Sequence, residues 1–62
     1  MSEAFKEEFW KIISHIASAE EHIEDIIGEV EETDRKDLRL ICDELRDLRQ
    51  RLIQKYRGIV FE

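Results

Sequence analysis

Apolar residues recur along this chain at alternating intervals of four and three positions. In the first half they fall at Phe5, Phe9, Ile12, Ile16, Ala19, Ile23, Ile26 and Val30. The second half repeats the spacing at Leu38, Ile41, Leu45, Leu48 and Leu52. Such a heptad pattern is typical of amphipathic helices that pack along one apolar stripe. The chain is therefore expected to be all-α.

The two stripes do not belong to one continuous helix. Extending the first stripe would require apolar residues where Thr33 and Asp37 stand, and the second stripe begins at Leu38, one residue out of phase. A helix can bury only residues that share a face, so the chain is expected to turn back between the stripes. The pattern predicts an antiparallel hairpin with helices at about 3–31 and 34–57.

Residues with capping ability stand near the ends of both predicted helices. Ser2 can cap the first helix, and either Thr33 or Asp34 can cap the second. Gly58 is expected to end the second helix in the left-handed conformation that glycine adopts easily. These signals, together with the short length, predict a single domain spanning residues 1–62.

Folding the chain about this turn brings the two stripes into register. Ile26 is expected to face Ile41 in the core of the hairpin. The small Ala19 is expected to face Leu48, a size alternation that lets neighbouring layers interdigitate.

One flank of the predicted hairpin stays apolar beside the stripe. A chain of 62 residues buries only about 60% of its unfolded surface, so a lone hairpin would be marginally stable. Two hairpins joined by this flank would form a homodimeric four-helix bundle. On this flank Arg49 is also expected to face Glu20 and to pair with it. The predicted dimer interface consists of Trp10, Ile13, Ala17, Ile27, Cys42, Arg49, Ile53 and Tyr56.

The C-terminal tail is apolar and follows the second predicted helix. In a hairpin, Ile59, Val60 and Phe61 return beside Phe5 and Phe9. They are expected to close the open end of the hairpin as part of an aromatic cluster. The alternative is a free tail that docks into a partner.

Charge is distributed unevenly along the chain, whose net charge is −6. Residues 1–34 hold eleven acids and two basic residues, whereas residues 35–62 hold five acids and eight basic residues. A basic segment can bind nucleic acid. The basic side chains are dispersed around the second helix, however, and acids interrupt them. RNA therefore remains an alternative partner, and pairing between the two halves is favoured.

Few residues have the spacing that catalysis or metal binding requires. His15 and His22 lie seven positions apart, about 10 Å along a helix, which is too far to chelate one metal ion. Cys42, the single cysteine, is interpreted as a semi-buried apolar residue. We expect no catalytic, cofactor-binding or metal-binding residues and no enzymatic activity.

Five carboxylates match a spacing found in MazG-like nucleotide pyrophosphohydrolases, in which such residues hold magnesium. The two acidic segments fall on opposite flanks of the predicted hairpin and would not converge. A fragment of such a hydrolase is kept as a remote alternative. The matching residues are Glu20, Glu21, Glu24, Glu44 and Asp47.

The segment "ICDELRDLRQRL" resembles the second helix of the Rop family of plasmid RNA I modulators. The resemblance implies a helical hairpin that dimerises into a four-helix bundle. The family's RNA-contacting positions are occupied here by Ser14, Ser18, His22 and Glu29, so the RNA-binding residues do not carry over. A Rop-like RNA-binding modulator is the runner-up interpretation of function.

The favoured interpretation is a small, non-catalytic homodimer that acts through protein–protein contacts as an interaction or regulatory module. The N-terminus lacks the features of a signal peptide, and no apolar run is long enough to cross a membrane, so a cytoplasmic location is expected. Leu40, Arg39 and Arg46 are candidate contacts for an unknown protein partner.

Overall fold

Two antiparallel helices of equal length make up most of the protein. The computed structural model describes residues 3–61, with α1 at Glu3–Ile26, α2 at Glu32–Lys55 and a short α3 at Arg57–Val60. The molecule measures 45 × 16 × 11 Å between Cα atoms, as a flat hairpin should. The all-α prediction is confirmed.

The turn between the helices begins earlier than the sequence pattern indicated. After α1 ends, Ile27–Glu29 form a 3-10 turn and Val30 is extended. Arg35 in α2 reaches back across this turn, where its Nε donates to the Val30 carbonyl at 3.1 Å and its Nη2 donates to the Gly28 carbonyl at 3.2 Å. Carbonyls at a helix end need such donors because they have no partner within the helix. The first predicted helix was therefore about five residues too long.

The second helix also begins and ends at different residues from those expected. Its N-cap is the extended residue Glu31, with no capping side chain, so the assignment of Thr33 or Asp34 as the cap was wrong. The prediction that Gly58 ends the helix in the left-handed conformation was also wrong, because no described glycine has a positive φ. The helix instead breaks at Tyr56, and the chain continues directly into α3. Ser2, the predicted first cap, lies outside the described residues.

The C-terminal tail packs on the open end of the hairpin, as predicted. Val60 is buried against Phe9 and Ile13, and Tyr56 is partly buried around the same cluster. The ring of Phe61 meets that of Trp10 edge-on, with 5.5 Å between ring centroids. Such edge-to-face pairs add to the stabilisation that burial alone provides. The tail is docked on its own chain.

The contact between α1 and α2 is rotated away from the predicted apolar stripe. Ile12 is 50% exposed whereas its neighbour Ile13 is 8% exposed; in α2, Ile41 is 46% exposed and Cys42 is 6% exposed. Ile26, expected to meet Ile41 in the core, is exposed as well. Two helices bury only the residues along their line of closest approach. At alternate positions of the stripe the contact has moved one residue along each helix, from Ile12 to Ile13 and from Ile41 to Cys42, whereas Phe9 is buried as the pattern suggested.

Candidate interaction surfaces

A two-point ion pair joins the middle of the two helices. Arg49 Nε donates to Glu20 Oε2 at 2.7 Å, and Arg49 Nη2 donates to Glu20 Oε1 at 3.2 Å. The predicted pairing of these two residues is confirmed. Glu20 is buried, and the heptad spacing Phe9, Ile13, Ile16, Glu20, Ile23 puts it within an otherwise apolar line. A paired arginine lets a carboxylate occupy such a position without an unpaired buried charge.

The hydrogen bonds from Arg49 lower the pKa of the Glu20 carboxyl below its ordinary value of 4.5, although burial opposes this shift. The same contact raises the pKa of the Arg49 guanidinium. Both shifts favour the ionised pair, because each group is bound most strongly in its charged form. The pair is therefore fully charged near neutral pH.

Arg46 extends this ion pair along one side of the hairpin. Its guanidinium lies 3.5 Å from Glu20, 3.6 Å from Glu24 and 3.6 Å from Asp43. We refer to the side that carries Glu24 and Arg46 as the ion-pair flank. Arg46 was a candidate partner contact, and its charge is already shared among three acids of its own chain.

The residues predicted to form a dimer interface mostly close the hairpin itself. Ile13 and Cys42 are buried within one chain, so the expectation that they stay uncovered until a second hairpin arrives was wrong. The Cys42 thiol donates to the Glu20 carbonyl at 3.8 Å. Both residues lie on the side of the helices toward which the contact between α1 and α2 has rotated. Of the remaining predicted interface residues, Ala17, Ile27, Arg49, Ile53 and Tyr56 are half-buried and Trp10 is exposed.

A different set of apolar residues is left uncovered on the side opposite the ion-pair flank. They are alternate residues of the predicted apolar stripes, and within each helix they recur at intervals of seven positions. Most of them are large branched side chains that a single hairpin exposes by about half. We call this surface the open apolar face, and it consists of Ile12, Ala19, Ile26, Ile41 and Leu48. The sequence pattern identified these residues as apolar but placed them in the hairpin core.

The other candidate partner contacts, Leu40 and Arg39, are exposed on α2. Leu40 is 61% exposed and lines a shallow surface hollow beside Leu48 and Arg51. An exposed leucine is common on protein surfaces and does not by itself identify a binding site.

Most of the predicted basic surface is engaged within the chain. Arg35 lies 3.8 Å from Glu32, and Arg51 lies 3.5 Å from Asp47. Arg46 and Arg49 hold acids of α1, as described above. A phosphate backbone would have to compete with these carboxylates for the same guanidinium groups. Four arginines of the second half, Arg35, Arg46, Arg49 and Arg51, are therefore already held by carboxylates of the same chain.

The five carboxylates of the hydrolase-like spacing do not converge on one point. Glu20 and Glu24 hold Arg46, whereas Asp47 holds Arg51. Within residues 3–61, no three histidine, cysteine, aspartate or glutamate side chains are grouped so that they could hold a metal ion. None of the described helices is both long and apolar enough to span a membrane.

Comparison with known proteins gives no relative from which a role could be transferred. No family model, curated protein or solved structure matches this chain. The surfaces described above are therefore the basis for a functional proposal.

Proposed function

We propose that this chain is a non-catalytic interaction module that works as a homodimer. In this proposal two hairpins combine into a four-helix bundle, and the bundle acts as a regulatory or assembly partner for another protein. The roles follow from surfaces rather than from a reactive site, because the charged side chains described above are engaged with one another.

The single observation that supports this proposal is the incomplete core of one hairpin. Among residues 3–61, only Phe9, Ile13, Cys42 and Val60 are buried apolar residues, and no large side chain of this range is fully buried. Each half-covered isoleucine or leucine forgoes part of the roughly 1.5–3 kcal/mol that full burial would contribute. A second hairpin would provide that burial.

The size of the chain supports the same conclusion. Chains of this length bury a small fraction of their surface, and many rely on disulfides, metals or oligomerisation. The sequence has one cysteine, so it cannot form an internal disulfide. Self-association is the remaining route to a larger core.

Sedimentation equilibrium and circular dichroism of the wild-type protein, from about 1 µM to 1 mM, test the homodimer. Because association supplies much of the stability, we expect a dimer whose melting temperature rises with protein concentration. A folded monomer across the whole range would contradict the proposal.

Capture of a partner from native extract, with a parallel nuclease-treated sample, tests the module's role. A partner that remains after nuclease treatment supports a protein contact, and loss of all binding would favour RNA.

A further inference from the structure

We propose that a second copy of this chain covers the open apolar face, so that two hairpins stack with these faces together. This inference rests on the proposed homodimer and specifies which surface forms it. This surface differs from the interface predicted from the sequence, most of whose residues pack or pair within one hairpin.

The antiparallel arrangement places the α1 and α2 parts of this face on one side. Ile12 directly precedes the buried Ile13, and Ile41 directly precedes the buried Cys42. Each step along an α-helix turns the side chain by about 100°. Because the helices run in opposite directions, residues that precede a buried position on either helix lie on the same side. The Arg46–Glu24 ion pair lies on the other side.

The side of the hairpin that carries this face is large enough for a specific dimer. It measures 45 × 16 Å between Cα atoms, or about 700 Å² in projection, close to the roughly 800 Å² that each partner buries in a standard interface. The apolar stripe from Ile12 to Ile26 covers about 20 Å of that length at the helical rise, so it would form the centre of the interface, with polar residues around it. An identical hairpin supplies an apolar face of the same length, and a two-fold axis pairs the two faces without a mismatch.

The charges of α1 are compatible with a second copy on this face. The α1 helix has seven acids among its 24 residues. None of them falls on its part of the face, where the helical stripe from Ile12 to Ile26 contains His15, Ala19 and His22 in between. Two chains that each carry a net charge of −6 can therefore meet along their α1 stripes without facing acids. On α2, Leu48 shares a surface hollow with Glu44, Asp47 and Arg51, so that part of the face carries charges of both signs. A basic partner would instead be attracted to the acids on the remaining surface.

The wild-type dimer provides a direct test by nuclear magnetic resonance. A sample mixed from ¹³C-labelled and unlabelled chains reports only those nuclear Overhauser effects that pass between copies. We expect such effects at the methyl groups of Ile12, Ile26, Ile41 and Leu48. Effects confined to Ile53 and the Trp10 side would overturn the inference while leaving the homodimer intact. A protein that sediments as a monomer, with no such effects, would refute both.

A matched pair of substitutions on α2 gives a second test. Leu48→Glu puts a carboxylate into the proposed interface, whereas Gln50→Glu adds a carboxylate at an exposed position about 200° further around the same helix. Sedimentation should show at least a tenfold weaker dimer for Leu48→Glu and less than a twofold change for Gln50→Glu. Equal effects, or a stronger effect of Gln50→Glu, would contradict the assignment. Should Leu48→Glu unfold, the wild-type resonance experiment still decides the matter.

Discussion

Ile12 and Ile13 are adjacent and chemically identical, yet they lie in different environments. Ile13 is buried with Phe9 and Val60 where the two helices meet, whereas half of Ile12 remains accessible on the open apolar face. Ile41 and Cys42 repeat this contrast in α2. A single chain thus buries the apolar residues on one side of its heptad pattern and leaves those on the adjacent side exposed to solvent.

This difference in burial arises from the contacts within the chain that cover each side of the stripe. The line through Ile13 and Cys42 is fixed at the open end by the aromatic tail cluster and at its middle by the Glu20–Arg49 pair. Ile26 and Leu48, by contrast, are 46% and 48% exposed. A heptad pattern therefore specifies helices and an apolar stripe, and other contacts decide which edge of the stripe faces the neighbouring helix.

The largest expected effect compares the two adjacent isoleucines directly. Ile13→Ala should lower the free energy of unfolding by about 2–4 kcal/mol, since it leaves a cavity among buried side chains. Ile12→Ala should cost about 1–2 kcal/mol at a concentration at which the dimer has dissociated, because half of the Ile12 surface is then still hydrated. Thermal melts followed by circular dichroism at that one low concentration would measure both. A more damaging Ile12→Ala would reverse the proposed order of burial.

The tail offers a second pair of neighbours with unequal burial. Val60→Ala should lower the free energy of unfolding by about 1–2 kcal/mol, because it removes two buried carbon atoms next to Phe9. Phe61 is 62% exposed, and Phe61→Ala should cost about 1 kcal/mol or less through loss of its edge-on contact with Trp10. Urea titration of both variants would show the difference. Equal stability of Val60→Ala and wild type would mean that the tail does not hold the open end.

Removal of the central charge should have an intermediate effect that depends on pH. Glu20→Gln keeps the shape but weakens the bonds from Arg49, and should cost about 1–2 kcal/mol near pH 7, since the pair is partly hydrated. The pKa of Glu20 is lowered in the folded state, so the unfolded chain binds the proton more readily. The stability from this pair should therefore be present above the ordinary pKa of 4.5 and be lost as the pH falls below it.

Urea unfolding of wild type and Glu20→Gln between about pH 3 and 7 would reveal this dependence, since the two curves should converge at the acid end. A constant gap between them would show that the ionised carboxylate is not the stabilising species. Arg49→Met with Glu20→Leu serves as a control, because an apolar replacement of both partners should recover part of the lost stability.

The smallest effect is expected on the ion-paired outer surface. Lys11 lies 3.1 Å from Glu8 on an exposed part of α1. Lys11→Ala should change the free energy of unfolding by no more than about 0.5 kcal/mol, because exposed pairs are screened by water and salt. A thermal melt would check this value, and a loss above about 1 kcal/mol would indicate an additional contact for Lys11 in the assembled protein.

The sequence was sufficient for the helices, the hairpin, the Glu20–Arg49 pair and the docked tail, because each depends on residue spacing or on direct opposition across the turn. It could not determine the rotation of the helix contact. Both Ile12 and Ile13 are apolar, so periodicity permits either to face α2. The early end of α1 was also missed, since the carbonyl of Gly28 is satisfied by Arg35, seven residues further along the chain.

The central claim is that the two adjacent sides of the heptad stripe are closed differently, one within a chain and one between chains. The most direct measurement is the solvent accessibility of individual methyl groups in the wild-type protein, probed with a soluble paramagnetic gadolinium chelate over a dilution series. Ile13 should stay protected at every concentration at which the chain is helical. Ile12, Ile41 and Leu48 should become protected as the dimer forms and accessible again as it dissociates. Continued accessibility of these three side chains in a sample that sediments as a dimer would contradict the claim.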